Sequence, residues 1–206
     1  MAGMGHDCCP APTPTPTTDV SYRRVLWIAL VANVLMFLVE VVAAAWSGSS
    51  ALAADAADFL GDSANYALSL GALAIGGAWI SRVALLKGVA MSLYGVGVLA
   101  YAAWRAWLGV PPEPLTMGVV GALALAVNFG VAAMLYRFRE GDANMRSVWL
   151  CTRNDVIANL AVLAAAAGVF GTGTIWPDVG VAAMLAVLGL SSGRVVIRQA
   201  RAELSA

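Results

Sequence analysis

Two aspartates one helical turn apart, Asp58 and Asp62, lie in a stretch (51–80) otherwise apolar enough to cross a bilayer, and Asp55 joins them on the same helical face. An ionised carboxylate near the bilayer centre costs about 2.5–3.5 kcal/mol on insertion scales, so three in one span must face protein, water or a cation. A second apolar stretch repeats the spacing with Cys151 and Asp155. An i,i+4 pair puts two ligand atoms on one helix face at a separation a single ion can bridge. Two such pairs on facing helices supply a four-ligand shell. Asp58, Asp62, Cys151 and Asp155 are therefore the candidate metal ligands.

The elements that must position them are membrane helices. The chain has 206 residues, 61% hydrophobic and 12% charged, against about 25% charged in an ordinary soluble domain. Six stretches, 22–46, 51–80, 83–108, 115–138, 146–169 and 176–197, are long enough to cross about 30 Å of hydrocarbon at 1.5 Å per residue. The first is too long for a signal-peptide core and carries Asn33 and Glu40, so it reads as a retained helix. The predicted fold is all-α, a six-helix transmembrane bundle over residues 21–200, between a disordered Pro/Thr-rich tail (1–20) and a short C-terminus (201–206).

Positive charge orients the bundle. Arg23 and Arg24 precede span one, Arg82 and Lys87 are assigned between spans two and three, Arg137, Arg139 and Arg146 between four and five, and Arg194, Arg198 and Arg201 to the end of six. The connections on the opposite side have no Lys or Arg, and only Arg105 sits near them. The positive-inside rule places both termini in the cytoplasm. The formal net charge is zero, which gives no reason to expect a nucleic-acid partner; the lipid bilayer is the expected surroundings.

Four of the six spans have a polar side. Asp55, Asp58, Asp62, Asn65 and Ser69 fill about 80° of span two, and Cys151, Asp155 and Asn159 about 80° of span five. Asn33 and Glu40 share a face of span one, and Asn128 is in span four. Helices 1, 2, 4 and 5 are thus expected around a polar metal site, with 3 and 6 packed outside. Spans two and five run in opposite directions, and counting from their ends puts Asp62 and Asp155 both about 12–17 Å deep, near the midplane. Six spans also divide into two inverted groups of three, an arrangement that places substrate between the halves in transporters. Asp55 is read as a relay, Asn65 and Asn159 as hydrogen-bond partners of the ligands, and Glu40 as structural or as part of a proton path. Asp178, after Trp176 and Pro177, is read as facing the outer surface, and Arg153 as pointing away from the site toward the cytoplasmic interface. The tail residues His6, Cys8 and Cys9 are a weak soft-metal motif.

These residues resemble the cation diffusion facilitators, a family of six-helix antiporters that export divalent metals. The family's [His/Asp]-x-x-x-Asp pairs in spans two and five match Asp58-Phe-Leu-Gly-Asp62 and Cys151-Thr-Arg-Asn-Asp155, and Asn33 and Glu40 also resemble it. The resemblance runs from about Arg23 to Ala200. It implies that a cytoplasmic divalent ion displaces protons from the site, is carried outward, and is released as protons return. Carboxylate and thiolate ligands lose protons when metal binds, so the two bindings are linked. No cofactor is implied; the metal is the transported substrate. Cys151 stands where His or Asp is usual, and a thiolate tilts the choice toward Zn²⁺, with Co²⁺, Cd²⁺, Ni²⁺ and Fe²⁺ open. The family's C-terminal cytoplasmic domain is not found, so the chain reads as a short form; a bacterial inner-membrane location and a homodimer through the transmembrane helices follow by resemblance.

Two other readings compete. One is a membrane metal-binding or assembly protein without transport. The other is an intramembrane metal-dependent phospho-alcohol transferase, whose motif has a similar Asp spacing. That motif begins upstream with Asp-Gly-x-x-Ala-Arg, which is absent here, and such an enzyme needs a phosphate-gripping cation that the sequence does not place near Asp58. The expectation is therefore a transporter and not an enzyme.

Overall fold

The computed structural model describes residues 20–72, 78–140 and 143–205; His6, Cys8 and Cys9 lie outside them. The described residues form six helices: α1 (Val20–Ser47), α2 (Ser50–Ala72), α3 (Ala78–Leu108), α4 (Pro114–Tyr136), α5 (Ala143–Thr172) and α6 (Trp176–Leu204). No strand occurs among the described residues. One boundary differs from expectation. Apolar, glycine-rich sequence continues through the end of span two, so hydropathy has no signal for where it stops. The described part of α2 runs to Ala72, and residues from Ala78 to Arg82 belong to α3.

Five helices, all but α2, are long and apolar enough to cross a membrane. α2 has the length, with 23 residues, but its Asp and Asn residues lower its hydropathy. Its position compensates for this. Between Ala51 and Gly71 only Ala67 is exposed, because α2 packs against α1, α3, α5 and α6. The outer helices instead present Leu35, Leu93, Leu115, Val119 and Phe129 outward, as a lipid-facing surface requires. Trp46, Trp107, Phe170 and Trp176, strongly exposed at the ends of α1, α3 and α5 and the start of α6, form an aromatic girdle of the kind found at membrane interfaces.

The tightest helix pairs are α1 with α2, α4 with α5, and α3 with α6. The first two pairs join through α1–α4 and α2–α5 contacts, giving the expected four-helix group, and the α3–α6 pair packs against it. Exchanging the two halves of the chain preserves most of these pairings. It fails where α6 packs on α2, for which α3 has no comparable contact with α5 among the described residues. Gly88 and Gly193 let α3 and α6 approach backbone to backbone: a Cβ at either would come 3.1 Å from the other's carbonyl oxygen.

The three connections on the girdle side begin alike. Gly48, Gly109 and Gly173 adopt positive φ (72°, 67° and 64°), and each amide donates to the carbonyl four residues back, at Ala44, Arg105 and Val169. This is the left-handed glycine stop that ends a helix without a Cβ penalty. On the same side the Glu113 amide donates to the Ser47 carbonyl, and the Glu113 side chain caps α4 by accepting from the Leu115 and Thr116 amides. Bonding to Thr116 and Leu115 holds the Glu113 carboxyl below its ordinary 4.5. A depressed carboxylate contributes stability above its unfolded-state value and loses it as pH falls through the folded-state value. The stability difference between the parent and Glu113→Gln is thus expected to be present at neutral pH and to vanish below that lowered value, as read by thermal unfolding in detergent across a pH series.

Candidate metal centre

Asp58, Asp62, Cys151 and Asp155 line one cavity of about 100 Å³ between α2 and α5. Both i,i+4 pairs are brought to the same space, as their spacing on two facing helices predicts. Asp62 is almost fully buried and Asp58 half-buried. The Asp62 and Asp155 side chains meet across the two helices, and Asp155 Oδ2 is buried and receives no hydrogen bond from an N–H group or hydroxyl among the described residues. The Tyr66 hydroxyl donates to Asp62 Oδ2 at 3.3 Å and lies 2.7 Å from Thr152 Oγ1, which itself donates to the Val148 carbonyl. Tyr66 thereby ties the α2 carboxylate to α5.

The fit to a metal is one of donor chemistry and convergence on one cavity, not of a finished coordination shell. Among the described residues no three acidic, thiol or imidazole groups are gathered closely enough to hold an ion as they stand. Cys151 would bind metal as the thiolate.

The structure divides the remaining candidates into two groups. Asn65, read as a hydrogen-bond partner of the ligands, lines the cavity. Asp55 and Asn159 do not; they form a second buried polar cluster. Asn159 Nδ2 donates to both Asp55 carboxylate oxygens, at 2.8 and 2.7 Å, and Asn128 Nδ2 donates to Asn159 Oδ1 at 3.0 Å. Asn159 therefore orients Asp55 and not the cavity carboxylates. Glu40 is fully buried and interacts with Asp55, while neither of its oxygens receives a hydrogen bond from an N–H or O–H group among the described residues. Asn33 turns back on its own helix and donates to the Ala29 carbonyl.

Three further expectations are corrected or sharpened. The walls of the cavity include Met91 of α3 and Leu185, Leu188 and Ser192 of α6, so helices 3 and 6 complete the chamber instead of only packing outside the four-helix group. Lys87 is not in a connection: it is 7% exposed, lines the cavity, and its Nζ donates to Asn65 Oδ1. A cation does therefore stand near the aspartates, contrary to the sequence reading. Asp178 does not face the outer surface; it is fully buried and binds the first turn of α2. Arg153 is exposed, with its guanidinium over the Trp149 ring, as expected.

Residues 26–205 match the family described as the cation efflux transmembrane domain. This chain is a member of the cation efflux family. That is the family of the cation diffusion facilitators its paired aspartates resemble. Two curated relatives are the metal cation efflux system protein CzcD of Cupriavidus metallidurans, 29% identical over 177 residues (79% of this chain, 55% of the relative), and the cadmium, cobalt and zinc/H(+)-K(+) antiporter of Bacillus velezensis, 25% identical over 189 residues (84% and 60%). The cation efflux protein described here spans a little over half the length of these relatives. The family comprises transporters and not enzymes, so Lys87 does not revive the transferase reading.

Proposed function

We propose that this protein exports a divalent transition metal from the cytoplasm in exchange for protons, with Zn²⁺ the first candidate and Co²⁺, Cd²⁺, Ni²⁺ and Fe²⁺ next. The observation that carries this reading is the convergence of Asp58, Asp62, Cys151 and Asp155 on one buried cavity between the two halves of the bundle. The relatives' names support it: CzcD is a metal cation efflux protein, and the Bacillus velezensis relative is called a cadmium, cobalt and zinc antiporter. In this mechanism Asp58, Asp62 and Asp155 bind the ion with the reduced Cys151, and the protons they release on binding are regained when the site opens outward. Asn65 and Tyr66 hold the ligands in place, and the Glu40–Asp55 cluster relays charge beside them. We place both termini in the cytoplasm, by the positive-inside rule, and the protein in a bacterial inner membrane as a dimer joined through its helices.

The test is metal flux in proteoliposomes under an imposed pH gradient across a panel of divalent ions. Uptake of Zn²⁺ that depends on the gradient is expected. Binding without flux would replace the transport reading with that of a membrane metal-binding protein. Selectivity is tested separately under reducing conditions. A soft thiolate favours Zn²⁺ and Cd²⁺, so Cys151→Ser is expected to lower the Cd²⁺ rate by about tenfold relative to Co²⁺, and Cys151→His to retain Zn²⁺ and Co²⁺. An unchanged order of preference in both variants would remove Cys151 from the coordination shell.

A further inference from the structure

Among the described residues Lys87 is the one basic side chain on the walls of the cavity. Arg82 on the same helix and Arg194 and Arg198 on α6 are exposed. A lysine at this depth ordinarily snorkels toward the interface, yet Lys87 turns inward and donates to Asn65, one turn beyond Asp62. The close α3–α6 approach at Gly88, the next residue, fixes the backbone from which it projects. Arg139–Glu140 is the ion pair formed among the described residues, so the ammonium adds its charge to the chamber without capturing a carboxylate oxygen. The charged groups facing it are Asp58, Asp62 and Asp155.

We propose that Lys87 is a tethered cation that sets the charge of the metal chamber, resting on the reading that this chamber binds the transported metal. Three ionised aspartates and the reduced Cys151 thiolate carry four negative charges, and Lys87 reduces the sum to minus three, so that one divalent ion leaves the chamber at minus one instead of minus two. Lys87 is thereby a specificity-determining residue: it limits affinity, so that an ion bound between carboxylates can also leave, and it disfavours retention of a second cation.

The experiment is Zn²⁺ titration of the full chain in detergent, paired with Zn²⁺ efflux from proteoliposomes. The comparison is Lys87→Arg, Lys87→Met and Lys87→Gln. Gln can still donate to Asn65 Oδ1 but carries no charge, so it separates the charge from the hydrogen bond. Both neutral variants are expected to bind Zn²⁺ about tenfold tighter or more, and in efflux kcat and KM should fall together because release becomes limiting. Lys87→Arg should stay close to the parent. A folded Lys87→Gln with parental or weaker Zn²⁺ affinity overturns the proposal even if Lys87→Met does not fold. Failure of the underlying reading looks different: the parent would bind no Zn²⁺, or Asp62→Ala would bind it equally well.

Discussion

Asp62→Ala and Asp155→Ala are each expected to lower the initial rate of metal flux by about a hundredfold or more while leaving the protein folded. Loss of an outer hydrogen-bond partner of a metal ligand costs about 10–100-fold in affinity or activity, so loss of a central ligand belongs at or beyond the upper end. Stability should not fall in parallel. Asp62 and Asp155 are two carboxyl groups side by side in a buried chamber, and neither anchors a helix end, so truncation removes a desolvated polar group as it removes function. Thermal unfolding without metal should show equal or higher midpoints for both variants. Asp55→Ala serves as the contrast. It leaves the cavity ligands in place but removes the acceptor of both Asn159 bonds, so it should impair flux less than Asp62→Ala and cost stability instead. Parental flux in Asp62→Ala and Asp155→Ala would show that metal does not pass through this chamber.

The convergence of the two pairs on one cavity is legible because its signal is local and expensive: carboxylates in an apolar helix demand a reason, and i,i+4 spacing fixes which face they share. The helix count and the depth match of Asp62 with Asp155 followed from length alone. What escaped depends on rotation and on exact helix ends. Asp55 lies only three residues before Asp58, close enough to be grouped with it by a helical projection, yet it serves a different neighbour, Asn159 of α5. Lys87 already falls inside the expected third span (83–108) and is counted as a topology marker because a lysine one turn into a span ordinarily snorkels to the interface; only the rotation of α3 makes it a cavity wall. Tyr66 and Thr152 carry no signal by themselves, since only the α2–α5 contact makes them partners.

Asp178 is the residue for which sequence and structure diverge most, and its removal is expected to be the most destabilising single change outside the chamber. Its carboxylate accepts from the Ser49 hydroxyl at 2.6 Å, the Ser50 hydroxyl at 2.6 Å, the Ser50 amide at 2.8 Å and the Ala51 amide at 3.0 Å. These donors open α2, whose first turn is buried and whose positive dipole end the carboxylate faces. Ordinarily a helix is capped from its own chain neighbours; here the cap comes from α6, 127 or more positions away, which is why no local pattern reveals it. Hydrogen bonds to a charged group contribute about 1.5–3 kcal/mol each before shared costs. Asp178→Ala strands four buried donors, so a loss of about 3–5 kcal/mol follows. Asp178→Asn keeps part of the acceptor capacity and should recover roughly half of that. Unfolding in detergent monitored by tryptophan fluorescence measures both. The effect on transport separates the two kinds of acid in α2's surroundings: residual folded Asp178→Ala protein should still bind Zn²⁺ with parental affinity, since the cap lies about three helical turns from Asp62. Weakened binding in the folded fraction would mean instead that the α6 cap sets the geometry of the chamber.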